Sequence, residues 1–301
     1  MKVFKYQVNI VILLICVGFT ACRNGNHGSN STCSITLLDS YNRSVIIPNK
    51  PSRIISAAPS ITEIIFAIGQ GSKLVGRTDY CKFPAAVSKI PSIGGLEDPS
   101  IETIVNINPD LMIASSHFKK ETVEQLDQLK VPIVIEKEDA SFDGVFRMIN
   151  RIGEILNAKP KADSVIFSMK SKIVLVGLKV KSVKIKPSVY VVIGFGKTGD
   201  YTAGGNTFIS EMIGMSGGEN IAKSITGWAF SLEKLIQLDP DIILIRKGDK
   251  ELFCATDNYK MLKAVKNNRV VEIDNDLLEL PGPRLADGLV MLLGIIHPEF
   301  K

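Results

Sequence analysis

The stretch Ser100-Ile101-Glu102-Thr103-Ile104-Val105-Asn106-Ile107-Asn108-Pro109-Asp110-Leu111-Met112-Ile113 returns later in the chain. The second copy reads Ser231-Leu232-Glu233-Lys234-Leu235-Ile236-Gln237-Leu238-Asp239-Pro240-Asp241-Ile242-Ile243-Leu244, with serine, glutamate and Pro-Asp in register 131 residues on. Each copy spells a short helix with a serine cap, a proline stop and a buried strand behind it, with the glutamate on the first helical turn. A matched pair at this distance predicts two lobes built to one plan.

The flanking sequence repeats the same rhythm. In the first half, apolar runs at Arg53–Ser56, Leu74–Gly76, Asp110–Ala114 and Val131–Ile135 read as strands. Helical patterns lie between them, from Pro59 to Gly69, over Ile101–Ile107, over Glu121–Leu129 and over Phe142–Leu156. In the second half the strands are Val189–Ile193, Ile242–Ile245 and Val270–Ile273, and the helices Phe208–Met215, Leu232–Leu238, Tyr259–Val265 and Leu285–Ile296. Strands separated by single helices predict an α/β sheet with crossovers, here twice. A hairpin from Cys33 to Pro48 precedes the first lobe, and Ser60-x-x-Glu63 reads as a capping box with a structural role. Lys161–Val180 has no proline and one glycine, and Val165, Ile166, Met169, Ile173, Val176 and Val180 recur near helical spacing, which predicts one long helix joining the lobes. A helical connector limits how far two lobes can close. The expected organisation is lobe 33–157, linking helix 158–183 and lobe 184–301.

Composition sets limits. The chain has 301 residues, enough for two average domains, with 45% hydrophobic and 22% charged residues, ordinary globular usage. A net charge of +5, which becomes +3 if Lys2 and Lys5 leave with an export signal, is too weak and dispersed to suggest nucleic acid. Of three histidines, His27 falls in a polar stretch, and His117 and His297 have no second histidine at ligand spacing. A His-rich metal site and an HExxH protease are excluded, and no metal site is expected.

Residues 1–21 read as an export signal: basic Lys2 and Lys5, then an apolar stretch of 12 residues from Ile10 to Ala21, too short to span a bilayer. The sequence Phe19-Thr20-Ala21-Cys22 resembles the lipobox of bacterial lipoproteins, which implies lipidation at Cys22 and residues 22–32 as a Gly/Ser-rich tether. Cys33, Cys81 and Cys254 then remain; a Cys81–Cys254 bridge is open, and buried inert thiols are the default.

Arg53-Ile54-Ile55-Ser56-Ala57-Ala58-Pro59-Ser60-Ile61-Thr62-Glu63, followed by Val75-Gly76-Arg77-Thr78-Asp79-Tyr80-Cys81-Lys82-Phe83-Pro84, resembles the cobalamin (vitamin B12)-binding proteins of bacterial ABC importers. These belong to the helical-backbone, class III periplasmic binding proteins, which also carry siderophores and haem. The twin Pro-Asp strands, Gly204-Gly205-Asn206-Thr207-Phe208, Ser216-Gly217-Gly218-Glu219-Asn220 and Pro283-Arg284 fit the same pattern, so the likeness runs from about Ile35 to the C-terminus. It implies a fold of two α/β lobes joined by one long α-helix, with ligand in the cleft. It also implies a lipid-anchored protein on the periplasmic side of the cell envelope, whose partners are a permease and its ATPase. Cobalamin or a related corrinoid is the transported ligand, with siderophore or haem as the alternative; no cofactor and no catalytic residue is expected. Glu102 and Glu233 would dock onto permease arginines, where charge-assisted pairs fix register and steer encounter. Tyr80, Leu96, Tyr201, Trp228, Asp276 and Leu280 fall at positions resembling cleft contacts. Leu96 and Ser115-Ser116 stand where a relative can carry tryptophan, so a flat stacking surface is missing there. His117 reads as a surface-loop histidine; facing the cleft, it would approach a haem iron or the axial face of cobalt. Arg284 is open between a buried ion pair and a ligand contact.

One motif points elsewhere. Gly194-Phe195-Gly196-Lys197-Thr198-Gly199 matches the dinucleotide fingerprint after a strand, but Asp200-Tyr201-Thr202-Ala203-Gly204-Gly205 separates it from the next helix. A pyrophosphate needs that helix N-terminus directly, and Asp200 would repel it, so a nucleotide-dependent oxidoreductase is disfavoured. No Gly-x-Ser-x-Gly elbow supports a hydrolase. A purely structural lipoprotein would leave the paired glutamates unexplained.

Overall fold

The chain enters the described residues, 34–197 and 199–300 of a computed structural model, as an antiparallel hairpin: β1 (Ser34–Leu38) and β2 (Ser44–Pro48). The export signal, Cys22, the tether, Cys33 and Thr198 lie outside the described residues. The buried Asp39 carboxylate holds the hairpin turn, accepting the amides of Tyr41 and Arg43 and pairing with the Arg43 guanidinium at 2.6 Å.

The first lobe follows as β3 (Ile54–Ser56), α1 (Pro59–Ala67), β4 (Leu74–Arg77), α2 (Ile101–Ile107), β5 (Leu111–Ser115), α3 (Lys120–Gln128), β6 (Ile133–Glu136) and α4 (Phe142–Ile155). The linking helix α5 (Lys159–Val180) comes next. The second lobe holds β7 (Ser188–Val192), β8 (Asp200–Tyr201), α6 (Phe208–Met215), β9 (Glu219–Asn220), β10 (Ala229–Phe230), α7 (Leu232–Leu238) and β11 (Ile242–Arg246). It ends with α8 (Lys250–Ala255), α9 (Lys263–Lys266), β12 (Val270–Ile273), α10 (Asp276–Glu279) and α11 (Leu285–Ile296). The two main sheets are parallel and share one strand order, β4-β3-β5-β6 and β9-β7-β11-β12, so the repeat seen in the sequence is a repeat of topology.

Each Pro-Asp pair works the same way. Asn108 and Asp239, the residues before the prolines, take left-handed φ values of 51° and 39°, because the proline ring excludes the right-handed helical region there and a short polar side chain tolerates the alternative. Ser100 and Ser231 cap their helices by accepting the amides of Thr103 and Lys234, each at 3.1 Å. The aspartate then pins the start of the neighbouring strand. Asp110 accepts the Ser52 hydroxyl and amide at 2.8 Å, and Asp241 accepts the same two groups of Ser188 at 2.7 Å.

Burial alone would raise the Asp241 carboxyl, but the Ser188 donors and Lys263 together hold it below the ordinary 3.8. A group whose folded pKa is depressed stabilises above its unfolded value and loses that contribution as pH falls. Asp241→Asn is therefore expected to cost about 1 kcal/mol at pH 7. Denaturant melts should show the deficit fading below pH 4.

Strand residues alternate between two cores because both faces of each sheet are covered. Ile54, Leu111, Ile113 and Val134 of the first sheet join Val189, Val191, Ile242 and Leu244 of the second in one continuous core with α1, α4, α5, α6 and α11. Ile55, Met112, Ile133 and Ile135 face a separate core with α2 and α3. Tyr190, Val192, Ile243 and Ile245 face a third with α7, α8 and α9. The lobes thus share a core as well as a helix, which adds to the reason for expecting little closure.

Several expectations need correcting. The capping box fails: Ala58 is the N-cap of α1 with no side-chain cap, the Ser60 hydroxyl goes to Glu138, and Glu63 turns to Arg284 in the other lobe. The helix expected over Tyr259–Val265 contracts to Lys263–Lys266, because the Tyr259 ring leaves helical register to stack on Phe253 at 4.4 Å between centroids. Helices α8 and α10 and the two-residue strands β8, β9 and β10 are too short to carry a period. The default reading of Cys81 and Cys254 as unbridged thiols holds: both are free, and Cys81 is buried and takes a hydrogen bond from the Thr62 hydroxyl at 3.1 Å.

Candidate functional site: a cleft at the strand ends and two matched helix tips

In open parallel sheets, loops leaving the carboxyl ends of strands make the binding crevice. One recess, of about 230 Å³, is lined in this way by every strand of the first sheet. Ala58 and Pro59 follow β3, Tyr80 and Lys82 follow β4, Ser115 and His117 come from the end of β5, and Glu138 follows β6. Leu96 closes one side, and Asp276 and Leu280 enter from the second lobe. A second recess, of about 600 Å³, is lined by Ile193 after β7, by the Asn206–Ile209 turn, by Trp228 and by Ala140 of the first lobe. Leu278, Glu279 and Pro281 complete it. Asp276–Pro281 therefore forms the wall between the recesses, with Asp276 and Leu280 facing the smaller and Leu278, Glu279 and Pro281 the larger.

Of the residues expected in the cleft, Tyr80, Leu96, Asp276 and Leu280 come together in the smaller recess and Trp228 lines the larger one. Tyr201 lines neither. It sits on the β8–β10 ribbon, paired with Ala229 beside Trp228. Tyr80 is 56% exposed and Trp228 47%, high for large aromatics. Trp228 is held by its backbone: the Thr202 amide donates to its carbonyl at 2.7 Å, and Gly204 and Gly205 lie so close that a Cβ would meet the Gly227 carbonyl at 2.4 Å and the Lys223 carbonyl at 1.9 Å.

His117 is a surface-loop histidine, as the sequence suggested, with its side chain 71% exposed, and it also stands on the rim of the smaller recess. Its Nδ1 lies 3.1 Å from Glu138 Oε2, and Glu138 also accepts the Ser60 hydroxyl. Glu138, with the Ser115 hydroxyl at 3.5 Å, engages Nδ1 and leaves Nε2 without a hydrogen bond among the described residues. Glu138 was not singled out from the sequence, and the only signal was its place just past the fourth strand. Glu279, in the larger recess, has its carboxyl raised by burial, partly offset by the Asn275 amide and Arg246. Among the described residues no cluster of His, Cys, Asp and Glu is arranged to hold a bare metal ion.

The glycine-rich loop at Gly194–Gly199 runs into β8 and not into a helix, as its spacing suggested. It is tied down by the Gly196 amide, which donates to the Tyr259 hydroxyl, while that hydroxyl donates to Asp200 at 2.7 Å. Burial, and the bond to Asp200, push Tyr259 up to about 12. Burial raises Asp200 too, helped by the charge of Glu233.

Glu102 and Glu233 are exposed on the first turns of α2 and α7, on the outer faces of their sheets. Val105 and Ile236, one turn further and again in register, are exposed beside them. A polar recess of about 570 Å³ lies between the hairpin, the end of β6 and α4, and its arginines already pair, Arg147 with Asp139 and Arg151 with Glu136.

A two-lobed binding protein, with its ligand crevice between parallel sheets and paired acids outside it, is the class this arrangement defines. The chain belongs to the periplasmic binding protein family, whose pattern matches residues 54–277. It is 31% identical over 301 residues to the ABC transporter substrate-binding lipoprotein YvrC of Bacillus subtilis strain 168, covering 96% of each chain. It is 24% identical over 285 residues to a cobalamin-binding protein of Halobacterium salinarum, covering 89% of this chain and 76% of that one. Its fold superposes with a TM-score of 0.75 on the apo periplasmic haem-binding protein RhuT of Roseiflexus sp. RS-1, at 26% identity, covering 83% of this chain and 99% of that one. The relatives are substrate-binding transport proteins and not enzymes, and this chain is of the ABC transporter substrate-binding type.

Proposed function

We propose that the protein captures cobalamin or a related corrinoid between its lobes and delivers it to an ABC permease, held at the membrane by lipid on Cys22. The observation that carries this reading is the pair of adjoining recesses flanked by the exposed rings of Tyr80 and Trp228. A corrin is broad and apolar on its faces and carries amides at its rim. Two aromatic faces with Asp276, Glu279, Glu138 and Lys82 around them match that chemistry. The cobalamin-binding relative supports the same ligand. Glu102 and Glu233 would meet the two permease subunits, and the ATPase would bind on the far side of the membrane.

Haem is the second reading, favoured by His117, whose unbonded Nε2 is poised on the cleft by Glu138. Isothermal titration of residues 24–301 with cyanocobalamin, cobinamide and hemin separates the two. Saturable one-to-one binding of the corrinoids is expected, weakened about tenfold in Tyr80→Ala and in Trp228→Ala. Binding of hemin alone, with a visible spectrum that shifts on His117→Ala, would transfer the reading to haem.

A further inference from the structure

We propose that the outer face of α5 is a binding surface for anionic lipid. This helix is apolar on two opposite sides. Its inner side, with Ala162, Ile166, Met169 and Val176, is buried in the core that the lobes share. At 100° per residue, Phe167, Val174, Leu175 and Leu178 fall on the opposite side in a stripe about 100° wide. They are uncovered: Phe167 is 74% exposed, Val174 61% and Leu178 57%. Exposed Ser164 and Ser171 share this arc, but the four large apolar side chains dominate it, and uncovered apolar side chains grouped this closely mark a contact surface.

Charge says what kind of contact. Residues 159–186 contain eight lysines and a single acid, Asp163. Some are engaged locally: Lys159 with Asp163, Lys172 with Asp287, and Lys179 with the Phe300 carbonyl. The ammonium groups of Lys161, Lys181, Lys184 and Lys186 enter no hydrogen bond or ion pair among the described residues, although Lys186 lies near enough to Glu219 to lower its carboxyl. Three of these surround Ile185, which is 79% exposed just beyond the helix end. Apolar side chains interleaved with free lysines are the chemistry of an interfacial helix on an acidic bilayer. A second copy of the chain would bring an equally basic segment against this one and be repelled. Contact through α5 also leaves α2 and α7 free, since these lie on the other faces of their sheets. The inference does not depend on which solute is carried or on lipid at Cys22.

The test is flotation of residues 24–301 with vesicles; this piece contains all three cores of the described fold. Partition onto equal parts phosphatidylglycerol and phosphatidylcholine is expected, falling with added salt, with none onto phosphatidylcholine alone. Phe167→Ser with Leu178→Ser should reduce partition at least about tenfold. Lys181→Glu with Lys184→Glu and Lys186→Glu should reduce it roughly a hundredfold. Both sets lie on exposed positions, and an unchanged melting temperature verifies folding. Absent or charge-independent partition, or wild-type partition by both sets, would overturn the proposal. So would a concentration-dependent dimer in sedimentation equilibrium that the Phe167/Leu178 set abolishes, because the face would then belong to a second copy.

Discussion

Replacing Arg284 with alanine is expected to destabilise the protein by about 3–5 kcal/mol, because it strips a buried carboxylate of the one cation paired with it among the described residues. Arg284, at the entrance to α11 in the second lobe, reaches 221 residues back to Glu63 on α1 of the first. Its Nη2 lies 2.6 Å from Glu63 Oε1, and its Nε lies 3.0 Å from Oε2. The guanidinium also stacks over the Phe83 ring, 4.1 Å from the centroid, and meets Asp274 at 3.3 Å. Gly282 permits the approach, since a Cβ there would stand 3.3 Å from Glu63 Oε2.

Burial raises the Glu63 carboxyl above its ordinary 4.5 even with Arg284 opposing it, and removing the arginine lets it rise further. A carboxylate raised in the folded state binds its proton more tightly folded than unfolded, so stability falls as pH climbs from the unfolded value through the folded one. The deficit of Arg284→Ala should therefore be largest at pH 8 and shrink toward pH 5 as Glu63 takes up a proton. At neutral pH it should lower the melting temperature by roughly 10 °C. Paired replacement by Glu63→Leu and Arg284→Met should come within about 1 kcal/mol of wild type, since an apolar pair avoids the desolvation cost. A deficit that stays constant from pH 8 to pH 5 would count against a buried, uncompensated charge. Because the pair bridges the lobes, the same variants report how far it sets the cleft's resting width, readable as a change in radius of gyration by scattering.

What the sequence showed of this fold and what it hid follow a physical division. The helix–strand units around Glu102 and Glu233 were legible because everything that defines them is local: a serine cap, a first-turn acid and a proline stop within ten residues. The inner side of α5 was legible because its period survives over six turns. Glu63 was misread for the opposite reason. Ser60 and Glu63 have the spacing of a capping box, and only the fold brings a guanidinium from 221 residues away to claim the acid. His117 likewise meets Glu138, from the loop after another strand, only in the fold. The ribbon that carries Tyr201 is two residues wide, below the length at which alternation means anything. The outer apolar residues of α5 were present in the sequence all along. A one-sided reading passed over them because periodicity alone cannot say which of two apolar faces the core will take.

Charge reversal at both helix tips, Glu102→Lys with Glu233→Lys, is expected to abolish transport while leaving solute affinity within about twofold. Each acid stands second in its helix, where it gains only about 0.3–1 kcal/mol from the helix dipole, so the loss to folding is small. At a permease surface carrying arginines the same change replaces attraction with like-charge contact, which costs several kcal/mol and slows encounter. Singles should keep partial transport, since one lobe still docks. The measurement is solute uptake into proteoliposomes holding the permease and ATPase, run beside titration of the solute onto the free protein. Normal uptake by the double variant would place docking elsewhere, and a tenfold loss of solute affinity would assign the acids to the cleft. The geometry gives a reason for the two functions to sit so close. Trp228, on the larger recess, precedes Glu233 by five residues through strand β10, and Leu96, on the smaller recess, precedes Glu102 by six. In each lobe a loop that lines a recess runs directly into the helix proposed to dock. A permease that pulled the two helix tips apart would therefore move the loops that hold the solute, and release would follow from docking without a separate device.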